Sequence, residues 1–148
     1  MTVQPYQHLL VAIDFSPGSD AVIERARDLS QRYKARVSLV HVVEPMLMEY
    51  TGELVLPEDL DLERQLVDSA RERLAGIAEH LHARGSDCHV LVGSPKSEIV
   101  GLAGEGDVDL ILVGSHGRHG LALLLGSTAN AVLHHAPCDV VAVRITEG

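Results

Sequence analysis

Several things are scarce in this chain, and each absence removes a class of function. Cysteine occurs only at Cys88 and Cys138, fifty positions apart, which supplies neither a disulfide framework nor a CxxC redox or zinc pattern. Two reduced, mostly buried thiols are expected instead. No run of about 18 apolar residues occurs, so a membrane-spanning helix is not expected. The N-terminal stretch MTVQPYQHLLVAID lacks the basic flank, long apolar region and small-residue cleavage site of a signal peptide. A soluble, cytoplasmic protein is the expectation. Basic residues are outnumbered, 12 Lys and Arg against 21 Asp and Glu, for a formal charge of -9. That balance disfavours a nucleic-acid backbone or an anionic membrane as the main partner, but leaves room for a small anion held locally by backbone N–H groups. No GxxxxGK[ST] phosphate loop occurs, and the stretch DFSPGSD offers no GxGxxG.

What is present is a length of 148 residues, 46% of them apolar, matching one ordinary domain with enough buried surface to fold without staples. HLLVAID, 8–14, is a short apolar run ending in an acid. A helical rhythm follows, with Ser16 as cap, Pro17 at the first position, and Val22, Ala26, Leu29 and Tyr33 on one face. From Ala35, ARVSLVHVVEP returns to a strand pattern that Pro45 ends. The segment 45–57 has no clean period; its Met46, Leu47 and Met48 suit a lid, a dimer contact or core filling. From Glu58, the series Leu62, Leu66, Ala70, Leu74, Ile77 and Leu81 predicts a long helix that Gly85 ends. CHVLVG is a strand, and SPKSEIVGLAGEG a helix capped by Ser94, in which Gly101 demands compensating packing. VDLILVG, 108–114, reads as a strand covered on both faces, followed by a helix from about Ser127 to His135 and a last strand, CDVVAVRI, 138–145. Strands alternating with helices predict a doubly wound parallel sheet of five strands with helices on both faces. Ligands bind such sheets beyond the carboxyl ends of the strands. Placed side by side at the centre, the first and fourth strands would deliver Asp14 and Gly114 to one crevice.

The stretch after the fourth strand, GSHGRHGLALLLGSTAN, carries the chemistry. Gly114, Gly117 and Gly126 suit a sharp strand exit, close backbone approach to a ligand and a tight turn into a helix. Ser127 and Thr128 add hydroxyl donors at a helix N-terminus, where orphan N–H groups and the helix dipole favour a phosphate.

From HLLVAIDFSPGSD through VSLVHVVEP and DLILVGSHGRHG to LLLGSTANAVLHHAPCDVVAVR, the chain resembles the universal stress protein family, small α/β proteins many of which bind ATP. The resemblance implies an adenine nucleotide alpha hydrolase-like sheet in the order 3-2-1-4-5 across the whole chain as a single domain. It implies ATP as ligand, with or without Mg2+. Asp14 would then contact the ribose, with Ala12 nearby at the adenine, Val42 lining the adenine pocket and Val113 closing it. Gly114, His116 and Gly117 would face the phosphates on one side, and Gly126, Ser127 and Thr128 on the other. The family's nucleotide motif is Gly, two residues, Gly, nine residues, Gly, then Ser or Thr. Here eight residues, Arg118 to Leu125, separate Gly117 from Gly126, a spacing closer to that of type A members, some of which do not bind ATP. The retained glycines argue for a surviving phosphate site.

Alternatives stand beside these roles. Asp14 also suits a helix cap or a turn closure, His116 a turn residue bonding its own backbone, and Arg118 either a partner for a terminal phosphate or a solvated surface cation. The adjacent His134 and His135 point about 100° apart and predict one surface and one partly buried ring rather than a metal site. The resemblance further implies a homodimer through the edge strand at Val140 to Ile145, with an unnamed protein partner. That strand order puts Cys88 and Cys138 on opposite edges. With no second acid clustered at Asp14 and no evident water-activating base beyond His116, the expected protein is a nucleotide-responsive stress regulator. A slow ATPase and a nucleotide-free dimer are the competing readings.

Overall fold

The computed structural model describes residues 2–45, 57–116 and 125–145. Met46, Leu47 and Met48, like Gly117 and Arg118, lie outside the described residues. Five strands, β1 (His8–Ala12), β2 (Arg36–Val43), β3 (Cys88–Val92), β4 (Leu110–Gly114) and β5 (Asp139–Val143), alternate with helices α1 (Ser19–Tyr33), α2 (Pro57–Leu81), α3 (Pro95–Glu105) and α4 (Ser127–His135). All strand pairs are parallel and the sheet order is β3-β2-β1-β4-β5. β1 and β4 are the most apolar strands because they are buried on both faces; Leu9, Leu10 and Val11 pair with Leu110, Ile111 and Leu112, all of them buried. One layer of core packs Val22, Ile23 and Ala26 of α1 with Leu74, Ala78 and Leu81 of α2, while the other packs Ile99 and Ala103 of α3 with Ala129 and Val132 of α4. The chain thus leaves the central strands toward opposite faces, which opens a crevice between β1 and β4 at their carboxyl ends.

Several boundaries differ from the sequence reading for local reasons. Phe15 takes φ 58°, a left-handed conformation that turns the chain before α1 can start. Ser16 therefore sits in a turn: its carbonyl accepts from Ser19 N at 3.0 Å, and Gly18 rather than Ser16 precedes the helix. α2 stops at Leu81, where His82 adopts φ 56°, and Gly85 opens a separate 3-10 turn, Gly85–Asp87. The apolar stripe of α2 is buried at Ala70, Leu74 and Leu81, but Leu62 and Leu66 are exposed among the described residues. His134 and His135 are both exposed, contrary to the expectation of one partly buried ring. Gly101 meets nothing within 4 Å of the place a Cβ would occupy, and its helix is held instead by Ile99 and Ala103, which α3 buries in the core. Gly101→Ala should raise stability by about 0.5–1 kcal/mol, read as a higher urea midpoint.

Polar ties fasten the end of the sheet opposite the crevice. The Asp109 carboxylate accepts Gln7 N at 2.8 Å and His8 N at 3.0 Å, setting the start of β1 beside β4. Tyr6 donates to Asp139 at 2.7 Å, and this bond with the nearby carboxylate charge pushes its phenol up to about 12. Asp87, almost fully buried, takes Arg36 Nε at 3.1 Å as one of two guanidinium bonds, which hold its carboxyl below the usual range. A depressed folded-state value means that this stabilisation is fully present above the unfolded carboxylate range, near pH 4, and fades as pH falls through the lowered value. Asp87→Asn should therefore lower the urea midpoint at neutral pH, by about 1–2 kcal/mol of stability, with the gap to wild type closing below about pH 3.

Candidate functional site

A cavity of about 870 Å³ opens at the carboxyl edge of β1 and β4, within the about 300–1,000 Å³ usual for small-molecule sites. Nine of the residues singled out from sequence line it together: Ala12, Asp14, Val42, Val113, Gly114, His116, Gly126, Ser127 and Thr128. They come from four segments brought together only by the sheet order. Ala12 ends β1, Val42 lies near the end of β2, Val113 and Gly114 end β4, and Ser127 opens α4. Ala12, Val42 and Val113 belong to one apolar cluster with Ile99 and Ala129, giving the cavity a dry wall.

Asp14 is exposed, two residues past β1. Its Oδ1 accepts Ser16 N and Ser19 Oγ, each at 3.0 Å, so one oxygen closes the turn. Among the described residues Oδ2 accepts nothing, and it stays available to a hydroxyl ligand. The turn and ligand readings of Asp14 are thus compatible. His116 is 5% exposed, its Nδ1 3.5 Å from Ser115 Oγ. Across from it, Gly126 holds an extended conformation before α4, and no side chain caps that helix. The first amides of α4 are left for solvent or a ligand, and Gly126, Ser127, Thr128 and Ala129 all border the cavity.

Sequence reasoning missed the residues that hold this geometry in place. Ser115 is a junction: its N donates to Val143 O at 2.8 Å, its carbonyl accepts Gly126 N at 2.6 Å, and its Oγ accepts Ile145 N at 3.1 Å. The end of β5 is thereby tied to the turn that starts α4. Ile145 in turn fills the notch left by two glycines. Its Cδ1 lies 2.5 Å from where a Cβ on Gly18 would stand and 2.7 Å from one on Gly114. Gly114 is thus glycine at least partly for Ile145, a contact that no local pattern announces. Also lining the cavity, Phe15 stacks on His41 with ring centroids 4.3 Å apart, and Arg73 of α2 sits 3.9 Å over the Phe15 ring.

Fold and crevice define a doubly wound α/β protein with a ligand-sized site at its topological switch point. The chain belongs to the universal stress protein family, whose profile matches residues 5–144. It is 42% identical over 142 residues to universal stress protein A homolog 1 of Coxiella burnetii, covering 96% of this chain and 99% of that one. To homolog 2 of the same organism it is 45% identical over 141 residues, covering 95% and 96%. Among solved structures, the protein MJ0577 superposes with a TM-score of 0.82 at 23% identity, covering 98% of this chain and 100% of that one. A universal stress protein in complex with cAMP matches at 0.62 and 24% identity, covering 97% and 100%. These two structural likenesses carry the fold. Among the described residues no helix is long and apolar enough to cross a membrane.

Proposed function

We infer that this chain is an ATP-binding universal stress protein of the cytoplasm. It responds to nucleotide and acts through protein contacts as a homodimer, with no or only slow hydrolysis. The observation that carries this reading is the convergence of nine residues on one cavity, with the uncapped start of α4 beside an apolar wall. The residues fit the ligand: Ala12, Val42 and Val113 offer an apolar slot for a base, Asp14 Oδ2 a ribose acceptor, and Ser127 and Thr128 donors for phosphates. Bound ATP would supply charge and contacts that differ between two states of the crevice, the only way a ligand shifts a protein between them. Among the described residues no three metal-ligating side chains cluster, and the cavity's acids are Asp14 and Glu44, so any Mg2+ would ride mainly on the nucleotide's own oxygens.

The dimer contact in this reading is β5. It pairs only with β4 within the described chain, and Val140 to Val143 are half-buried. Ile145 points into the glycine notch, so strand pairing would rest on Val140 to Val143. Two β5 strands pairing edge to edge would complete their unpaired ladder groups. The shorter spacing between Gly117 and Gly126 favours a second reading, a nucleotide-free dimer. Purifying the protein, denaturing it and chromatographing the supernatant separates the two: adenine nucleotide released in proportion to protein supports the first, and a nucleotide-free supernatant that stays empty after incubation with ATP supports the second.

A further inference from the structure

The geometry points to Arg73 as the residue that makes this crevice prefer phosphorylated ligands over the bare nucleoside, an inference that rests on the nucleotide-binding reading. The chain is strongly acidic, and among the described residues the cavity is lined by two carboxylates, Asp14 and Glu44. Arg73 is the sole lysine or arginine among its described lining residues. Removing that charge would leave a polyanionic ligand facing two acids, offset by helix amides, hydroxyls and the histidines His41 and His116.

Arg73 is also held in place. The Nδ1–H of His41 donates to the carbonyl of Ile13 at 2.7 Å, fixing that ring at the end of β1. Phe15, in its left-handed backbone conformation, lays its ring on His41, and the Arg73 guanidinium carbon lies 3.9 Å from the centroid of the Phe15 ring. A non-glycine residue in that conformation is strained and persists only where its surroundings require it. A guanidinium carries five N–H donors, so a cation held over an aromatic ring keeps donors for an acceptor. Arg25, Arg32, Arg36 and Arg71 each pair with a carboxylate, whereas Arg73 pairs with none among the described residues. A cation oriented by an aromatic ring, unpaired with any described acid and bordering the cavity suits phosphate oxygens, which take arginine bidentately.

The test measures ATP, AMP and adenosine affinities by calorimetry for wild type, Arg73→Gln, Arg73→Met and Arg73→Lys. Arg73→Gln should weaken ATP by about tenfold or more while adenosine changes less than about twofold, because only the charged ligand loses a charge-assisted bond. Arg73→Met, whose stem still packs on Phe15, should behave alike, and Arg73→Lys should keep most of the ATP preference. Added salt should weaken ATP binding more in wild type than in Arg73→Gln. Equal losses for ATP and adenosine, or no loss for either, would overturn the inference while leaving nucleotide binding intact. A wild type that binds none of the three overturns the proposed function, and this inference with it.

Discussion

Exchanging Ser127 and Thr128 together for alanine should weaken ATP binding about a hundredfold while leaving the thermal midpoint of the free protein unchanged or slightly raised. Both residues lie in the first turn of α4 and border the cavity, and among the described residues neither hydroxyl makes a hydrogen bond that holds the fold. The position before the helix is Gly126, so no cap is removed, and alanine is the better helix former. A hydroxyl donating to a charged phosphate is worth about 1.5 kcal/mol or more, and two such bonds amount to about two decades in affinity. Calorimetry and a melting curve on the same preparation check both halves. A double variant that binds as wild type does would move the phosphates away from the start of α4.

Gly18→Ala should cost up to about 3 kcal/mol of stability, because its Cβ would stand 2.5 Å from Cδ1 and 2.6 Å from Cγ2 of Ile145, and overpacking of that kind costs about 1–3 kcal/mol. For Ile145 to yield by leaving the notch it shares with Gly114 would strain the bond from its N to Ser115 Oγ. Ile145→Ala alone should cost less, and the Gly18→Ala/Ile145→Ala pair should lie well short of the sum of the single changes, with a coupling of about 1 kcal/mol or more. Urea midpoints of the four proteins measure this directly. Strict additivity would show that the notch is not filled by Ile145 in solution. Since Ile145 also borders the cavity, the same cycle repeated with ATP present reports whether ligand and side chain share that corner.

The alternation of strands and helices was legible because β1 and β4 are buried on both faces and read as short unbroken apolar runs. α4, expected from about Ser127 to His135, was legible because glycine before it and alanine and proline after it punctuate both ends. Asp14 and Gly114 could be placed at the crevice because the doubly wound sheet turns local strand ends into one edge, whereas Ala12, Val42 and Val113 were named through the resemblance to the universal stress protein family. What stayed hidden depends on contacts between distant segments. Ile145 meets Gly18 across 127 positions, and Arg73 meets Phe15 across 58, so no spacing announces either pair. The start of α1 was misplaced because Ser-Pro is a strong local helix signal, whereas the left-handed turn at Phe15 belongs to the stack with His41 and Arg73. The packing that Gly101 calls for in its helix comes from Ile99 and Ala103, while open space surrounds the glycine itself.

In the proposed function, the crevice at the ends of β1 and β4 takes ATP. Titrating ATP with Mg2+ into the purified, nucleotide-stripped protein tests it most directly. The expected result is a saturable heat with one ATP per chain, lost in large part in the Ser127→Ala/Thr128→Ala variant. A protein that shows no heat with ATP at any temperature tried, and whose melting point does not move with ATP, would contradict it.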